Sequence, residues 1–223
     1  ATGSAGIDKA AMFIQNYLAH HNLRPFFEYF RDSFDTRSYV AYNVIGMIEG
    51  TDEVLKNEYI ILSAHYDHIG KRKGGPDSVY NGANDNATGV STVLNIAKIL
   101  AENKLNKRSV IVALFSAEEL GLLGAEYFAG KMNYGKKSVY CAVNVDMIGS
   151  VFNKKPGKVY LSGYKKSNMA EVFNRYIGSE EVLYWKNEEA FGIFQLSDNY
   201  PIYETLQIPS HTFCTFDFSN YDH

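Results

Sequence analysis

Residues 58–68 read EYIILSAHYDH, a continuous apolar run that ends in a histidine. The run over 58–64 has the length of a strand and shows no polar alternation, which is typical of a strand buried on both faces. Two runs of the same kind follow, SVIVALF at 109–115 and SVYCAVNV at 138–145. Strands of this type occur in α/β proteins, where helices cover both faces of a largely parallel sheet.

Segments with helical periodicity occur before, between and after these apolar runs. It predicts helices over residues 8–22, 90–102, 120–130 and 167–177. Further strands are expected near residues 38–49, 158–162, 182–185 and 210–216. The alternation of strands and helices predicts an α/β fold with helices on both faces of a mostly parallel sheet.

The composition indicates an ordinary globular protein. The chain has 223 residues, of which 46% are hydrophobic and 21% are charged, and its net charge is −3. We expect a single domain over residues 1–223, without the basic surface that would bind nucleic acid. No apolar run approaches the roughly 20 residues needed to span a membrane. The two cysteines, Cys141 and Cys214, form no CxxC pair, so we expect buried thiols rather than a thiolate zinc site.

Histidine and carboxylate residues follow each of the three apolar strands. His65 ends the first strand, Glu118 and Glu119 follow the second, and Asp146 follows the third. Ligands of open α/β sheets bind beyond the carboxyl ends of the strands, so these side chains are expected to converge. The long polar loop over 65–89 separates the first strand from the next helix and adds Asp85 to the candidates.

These residue types favour a metal site. Histidine and carboxylate groups are ligands that suit zinc, and a divalent cation removes the repulsion between clustered carboxylates. Asp85 can bridge two ions with its two oxygens. Glu118 and Glu119 leave their strand in different directions, so one can bind a metal while the other accepts a proton from water.

Five motifs occur together and in a fixed order along the chain. They are SAHYDHIG (63–70), NGANDNATGV (81–90), FSAEELGLLGAEYF (115–128), NVDMIG (144–149) and LSDNYPIYETLQIPS (196–210). The set resembles the co-catalytic di-zinc aminopeptidase family, whose relatives include glutamate carboxypeptidase, glutaminyl cyclase and the transferrin receptor. The resemblance implies a zinc exopeptidase-like three-layer α/β sandwich around a mixed sheet.

The resemblance also implies roles for individual residues. His65 and Asp146 resemble the ligands of the first zinc, Asp85 resembles the bridging ligand, and Glu119 resembles a ligand of the second ion. Glu118 resembles the catalytic base.

Asp67 resembles the carboxylate that orients the imidazole of His65.

Two positions depart from the family pattern. Asn199 stands where the family has a histidine, which is expected to alter substrate contacts rather than the chemistry. The last zinc ligand of the family is a histidine in a C-terminal loop. In this chain it is either His223 or a residue past position 223. Two zinc ions are expected, or one if this ligand is missing.

The predicted function is a zinc-dependent aminopeptidase that acts on peptides with a free N-terminus. Two alternatives remain open, a glutaminyl cyclase-like acyltransferase with one zinc and a non-catalytic binding domain on the same scaffold. The resemblance implies a periplasmic or extracellular location.

A set of aromatic residues is expected to shape the pocket for the N-terminal side chain: Trp185, Phe191, Phe194, Tyr200 and Tyr203.

Overall fold

The apolar runs form the centre of one mixed sheet. The computed structural model describes residues 1–71, 78–135 and 138–219. Its strands are β1 (Arg24–Pro25), β2 (Arg31–Asp35), β3 (Val40–Ile48), β4 (Tyr59–His65), β5 (Ser109–Phe115), β6 (Val139–Val145), β7 (Val159–Leu161), β8 (Val182–Leu183) and β9 (Ser210–Cys214). These strands lie in the order β1-β3-β5-β4-β6-β9-β7-β8, and β2 pairs with β3.

Strands β5, β4, β6 and β9 are parallel to one another in the middle of the sheet. Strand β3 is antiparallel to β5, and β7 is antiparallel to β9. The sheet is therefore mixed with a parallel centre, as predicted. The carboxyl ends of β4, β5 and β6 meet at one edge, and this edge carries the candidate residues.

Six α-helices connect and cover the strands within the described residues. They are α1 (Ala5–His20), α2 (Gly89–Asn103), α3 (Leu123–Tyr134), α4 (Met169–Ile177), α5 (Lys186–Ala190) and α6 (Asn199–Leu206). Among the described residues, none of them combines the length and the apolar character that a membrane crossing requires.

The helices lie on both faces of the sheet because the side chains of β5 alternate between them. Val110, Val112 and Leu114 pack with α1 and α2, whereas Ile111 and Phe115 pack with α3 and α6. Each of these side chains is almost completely buried, and such burial stabilises the fold by roughly 1.5–3 kcal/mol per large aliphatic or aromatic residue. The three-layer α/β sandwich predicted from the sequence is confirmed.

Several element boundaries differ from the sequence expectations. The helix expected over 120–130 begins at Leu123, because Gly121 and Leu122 adopt positive φ values of 106° and 63°. Helix α6 was not predicted, although Pro201 lies in its first turn, where a missing amide proton is tolerated. Strand β2, RDSFD, was not predicted because three of its five residues are charged and one of these, Asp32, occupies a buried position.

Both cysteines carry free thiols. Cys214 is buried and Cys141 is half-buried. Burial raises the pKa of the Cys141 thiol to about 11 and that of Cys214 to about 12, so both groups stay protonated near neutral pH. Both thiols are free, as expected, and neither cysteine belongs to a group of possible metal ligands among the described residues.

Candidate metal centre

Three side chains from separate segments meet at the carboxyl edge of the sheet. His65 is the last residue of β4, Asp85 lies in the irregular turn Ala83–Thr88, and Asp146 follows β6. The Nε2 atom of His65 lies 3.1 Å from Oδ1 of Asp85 and 3.3 Å from Oδ1 of Asp146. One ligand atom from each residue faces a common point, as expected of a metal site.

A second group of possible ligands lies beside the first. Nδ1 of His68 is 2.8 Å from Oε1 of Glu119 and 3.9 Å from Oδ2 of Asp85. The sequence analysis gave no role to His68, which lies in the loop after β4. The loop that follows β4 turns back over the sheet edge, so His68 is only 12% exposed and faces Glu119. Burial lowers the pKa of His68, which favours the neutral imidazole that a metal requires.

Asp85 belongs to both groups. Its Oδ1 atom faces His65 and its Oδ2 atom faces His68. A carboxylate whose two oxygens point to two different sets of ligands has the arrangement of a bridge between two cations. His65, Asp85, Glu119 and Asp146 are thus brought together as two adjoining groups that share Asp85.

The spacing of the ligand atoms fits zinc. Ligands about 2.0–2.1 Å from a tetrahedral zinc lie about 3.3 Å from one another. The distances from His65 to Asp85 and Asp146, 3.1 and 3.3 Å, are close to this value. Nitrogen and carboxylate oxygen donors are also the types that zinc accepts, so the residues present fit the ion.

The charges at the site favour a cation. Burial alone would lower the pKa of His65, but the carboxylates of Asp146 and Asp85 outweigh it and raise that pKa well above its usual range. Burial raises the pKa of Glu118 to about 10, and the carboxylates of Asp198 and Asp146 add to the increase. Without a positive charge, these neighbouring carboxylates compete for protons.

Asp67 contacts His65 mainly through its backbone. The Nδ1 atom of His65 lies 3.3 Å from the carbonyl oxygen of Asp67 and 3.8 Å from the carboxylate oxygen Oδ1. The same carboxylate accepts hydrogen bonds from the backbone N–H of Glu118 and the hydroxyl of Thr2, both at 3.1 Å. Asp67 therefore holds His65 and Glu118 in fixed positions relative to each other.

A sharp turn directs Glu118 and Glu119 away from the end of β5. Ala117 has a φ of 60°, in the left-handed region that non-glycine residues seldom adopt. The carbonyl oxygen of Glu118 accepts hydrogen bonds from Gly121 and Leu122, which closes the turn. Glu119 joins His68 in the second ligand group, while Glu118 lies against the cavity beside His65.

Asn86 joins the loop that carries Asp85 to the strand end that carries Asp146. Its side-chain oxygen accepts hydrogen bonds from the backbone N–H groups of Gly89 and Met147, at 3.0 and 3.2 Å. The sequence analysis gave Asn86 no role. Its place in the NDN triplet was the available signal, because the residue after a bridging carboxylate has to be held as firmly as the carboxylate itself.

Asp198 is a second residue that sequence reasoning missed. It is completely buried at the start of α6, and its carboxylate has no hydrogen-bond partner among the described residues. Burial raises its pKa to about 8, and the carboxylates of Asp146 and Asp67 contribute. The neighbouring Ser197 donates a hydrogen bond of 2.7 Å to Oδ2 of Asp146, so this segment also positions a candidate ligand.

Asn199 faces the protein interior rather than the cavity. It is completely buried, donates to the carbonyl of Phe194 at 3.2 Å and accepts from the hydroxyl of Thr212 at 2.6 Å. Its amide therefore supports the packing of α6 against β9. The substitution at this position changes internal hydrogen bonds, and the expected effect on substrate contacts is not supported.

His223, predicted as a candidate for the last ligand, lies outside the described residues. The other histidine near the C-terminus, His211, is buried in β9. Its Nδ1 atom bonds the carbonyl of Ser162 at 2.9 Å, and its Nε2 atom bonds the hydroxyl of Ser167 at 2.7 Å. Both ring nitrogens are engaged within the fold, so His211 has a structural role.

The sequence of this chain is similar to those of known metalloproteases and aminopeptidases. The family model described as "Peptidase family M28" matches residues 43–223. A probable zinc metalloprotease of Leptosphaeria maculans is 32% identical over 108 residues, which are 48% of this chain and 24% of that protein. Leucine aminopeptidase 2 of Trichophyton rubrum is 36% identical over 118 residues, covering 52% of this chain and 21% of that protein. The matched segment thus spans less than a quarter of these relatives.

Solved structures share the fold. The LapA aminopeptidase of Legionella pneumophila matches with a TM-score of 0.73 and 21% identity, covering 100% of this chain and 58% of that one. The glutaminyl cyclase of Bacteroides thetaiotaomicron matches with a TM-score of 0.69 and 16% identity, covering 99% of this chain and 80% of that one. At these identities the likeness concerns the architecture of the chain.

Proposed function

This chain belongs to peptidase family M28, and from that premise we propose that it is a zinc-dependent aminopeptidase, a hydrolase that removes N-terminal residues from peptides. The observation that carries the proposal is the pair of ligand groups that share Asp85, with Glu118 beside them at the wall of one cavity. Residues 1–223 would form a single catalytic domain. The name of the L. maculans relative, a probable zinc metalloprotease, supports zinc as the metal.

The proposed ligands follow the two groups. His65, Asp85 and Asp146 would hold one zinc ion, and Asp85 and Glu119 would hold the other. The histidine of the second ion would be His68 or His223. Zinc ions bound there supply Lewis-acid polarisation of the scissile carbonyl and make a water molecule more acidic.

Glu118 is proposed as the general base. Its carboxylate lies at the cavity wall, and Asp67 fixes its backbone through the 3.1 Å hydrogen bond. The carboxylate would take a proton from the attacking water and then deliver it to the nitrogen of the leaving peptide. Burial raises the pKa of Glu118 to about 10 in the zinc-free protein, and bound cations would lower that pKa and so favour the ionised form that the first transfer needs.

The charge of the cavity favours an aminopeptidase over a carboxypeptidase. The cavity is lined by Asp85, Glu118, Glu119 and Asp146, and no lysine or arginine of the described chain lines it. An enzyme that binds a free C-terminus needs a positive group for the terminal carboxylate. Three of these carboxylates are proposed zinc ligands, so Glu118 is the lining carboxylate that would be left to attract the α-ammonium group of a free N-terminus.

The proposal is tested with leucine p-nitroanilide. Zinc-loaded protein is expected to release nitroaniline, a chelator is expected to abolish the release, and added zinc is expected to restore it. Zinc-loaded protein that cleaves no aminoacyl anilide would contradict the proposal. Release of ammonia from a peptide with N-terminal glutamine, without peptide cleavage, would identify a glutaminyl cyclase-like acyltransferase instead.

The family resemblance supports a periplasmic or extracellular location as part of the same proposal. Fractionation of the source cells, with immunodetection of the protein, tests it. Recovery in the cytosolic fraction alone would contradict it.

A further inference from the structure

The cavity beside the ligand groups has apolar walls and a polar floor. It has a volume of about 270 Å³, and Ile193, Leu196 and Phe216 contribute apolar side chains to its wall. Tyr160 and Ser162, from β7 and the residue that follows it, also line the cavity, and we call these two residues its floor. A substrate side chain that occupies this cavity would lie beside both the apolar wall and the floor.

The hydroxyl groups of Tyr160 and Ser162 are buried without partners. Tyr160 is 0% exposed and Ser162 is 2% exposed, and neither hydroxyl has a hydrogen-bond partner among the described residues. The one polar side chain that interacts with the Tyr160 hydroxyl among the described residues that act on its pKa is the thiol of Cys214. Its sulfur is a weak hydrogen-bonding group and does not satisfy a hydroxyl as an oxygen or nitrogen would. A buried polar group without a partner costs about 1–3 kcal/mol, so two of them at one cavity need an explanation.

Other hydroxyls at the same cavity are engaged within the protein. Thr212 donates to Asn199 at 2.6 Å, and Ser197 donates to Asp146 at 2.7 Å. The two unpartnered hydroxyls are therefore specific to the floor of the cavity and are not a general property of its lining.

The aromatic residues expected to form this pocket do not line it. Trp185 packs in the core against Tyr160, with ring centroids 4.8 Å apart. Phe194, Tyr200 and Tyr203 line a separate cavity near α5 and α6. The expectation from the sequence was wrong because the residues of the segment 184–203 that reach the cavity are Ile193, Leu196 and Ser197, and its aromatic residues are not among those that line it.

We propose that this cavity selects N-terminal residues whose side chain ends in a neutral hydrogen-bonding group, an amide or a hydroxyl, over apolar residues of the same shape. The proposal rests on the proposed aminopeptidase function and specifies its substrate class. Hydroxyl groups can donate and accept, so together Tyr160 and Ser162 match both ends of a side-chain amide. Anionic side chains are disfavoured, because no positive side chain of the described residues lines the cavity.

The cavity would discriminate between polar and apolar substrate side chains because a buried hydroxyl without a hydrogen-bond partner costs free energy. Both hydroxyls are already unsatisfied in the free protein, so an apolar side chain leaves that cost in place, whereas an amide or hydroxyl that reaches them removes it. Sites built to bond a polar substrate group reject the analogue that lacks it far more strongly than apolar pockets reject an extra methylene. A preference of at least about tenfold is therefore expected between isosteric pairs.

The test uses two isosteric pairs of p-nitroanilides, asparagine with leucine and threonine with valine. For zinc-loaded protein, kcat/KM is expected to be at least about tenfold higher for the polar member of each pair. Tyr160→Phe and Ser162→Ala each remove one hydroxyl group. Each is expected to lower the ratio of the kcat/KM values for asparagine and leucine p-nitroanilide about tenfold. Tyr176→Phe and Ser91→Ala, at exposed positions, serve as matched controls and should leave the ratio unchanged.

A binding experiment separates this inference from the proposed function. Calorimetry would compare asparagine amide with leucine amide on zinc-loaded Glu118→Gln protein, which needs no hydrolysis. If no anilide is cleaved but asparagine amide binds more tightly, the proposed function fails and the selectivity of the cavity stands. Equal or stronger binding of leucine amide, or a ratio that neither hydroxyl variant changes, would overturn the inference. If one variant does not fold, the other variant and the wild-type ratios decide.

Discussion

The side-chain amide of Asn86 donates a hydrogen bond of 3.0 Å to the carbonyl oxygen of Val145. The two residues are 59 positions apart, and each directly adjoins a candidate ligand, Asp85 in one case and Asp146 in the other. The contact therefore fixes the distance between two carboxylates that belong to different segments. Ligand geometry at this site depends on a buried neutral side chain as well as on the ligands themselves.

Removal of the Asn86 amide is expected to weaken both the fold and the metal site. Asn86→Ala deletes three hydrogen bonds, two of them buried and one partly buried, so the free energy of unfolding should fall by roughly 2–4 kcal/mol. Zinc affinity should fall about 10–100-fold, which calorimetry can measure. Asn95→Ala is the matched control, since Asn95 is exposed on α2 and donates one bond to Ser91. Unchanged zinc affinity in the Asn86 variant would refute the positioning role.

Loss of the Glu118 carboxylate is expected to abolish hydrolysis without loss of metal. Glu118→Gln should lower kcat by about 10²–10⁴-fold, because the amide cannot accept a proton from water. Zinc content, measured by mass spectrometry, should stay at the wild-type value since Glu118 belongs to neither ligand group. Glu126→Gln, on the exposed face of α3, controls for the change of charge. Full activity of the Glu118 variant would rule out the proposed base.

His68 is expected to contribute to the second zinc site. Its 2.8 Å contact with Glu119 places a neutral nitrogen beside a carboxylate, so His68→Ala should weaken the second zinc by about tenfold or more while the first stays bound. His20→Ala, at an exposed position of α1, is the control. A His68 variant that binds both ions normally, together with a His223→Ala variant that loses one, would assign the ligand to position 223.

Asp198 is expected to make the stability of the zinc-free protein dependent on pH. Burial raises its pKa from 3.8 to about 8, so between these values the unfolded chain releases a proton that the folded chain keeps. The zinc-free wild type should therefore lose stability as the pH rises from about 4 to about 8. Asp198→Asn lacks this titration, and its advantage should grow to a few kcal/mol at pH 8. Denaturant unfolding at several pH values tests this, and a difference that is constant with pH would contradict it.

The position of most candidate ligands could be predicted because it depends on strand ends alone. His65, Glu119 and Asp146 each follow an apolar run, and parallel strands bring their carboxyl ends to one edge. The fold class could also be predicted, because apolar strand-length runs and helical periodicity are local properties of the sequence.

The other features of the site depend on contacts between distant segments. His68 reaches Glu119 only because the loop after β4 turns back, and a loop path is not encoded in periodicity. The side-chain amides of Asn86 and Asn199 bond residues on other elements. The sequence alone does not distinguish an asparagine that caps a local turn from one that bonds a distant segment. The polar floor of the cavity depends on the side of β7 that faces inward, which a three-residue strand leaves undefined in the sequence.

The central claim is that side chains at the edge of the sheet hold two zinc ions that share Asp85. The most direct measurement is the number of zinc ions bound per chain, determined by calorimetry and mass spectrometry for the wild type and for Asp85→Ala, with the exposed Asp35→Ala as control. We predict two ions for the wild type and the control, and the loss of tight binding at both sites in the Asp85 variant. A wild type that binds no zinc, or an Asp85 variant that retains both ions, would contradict the account.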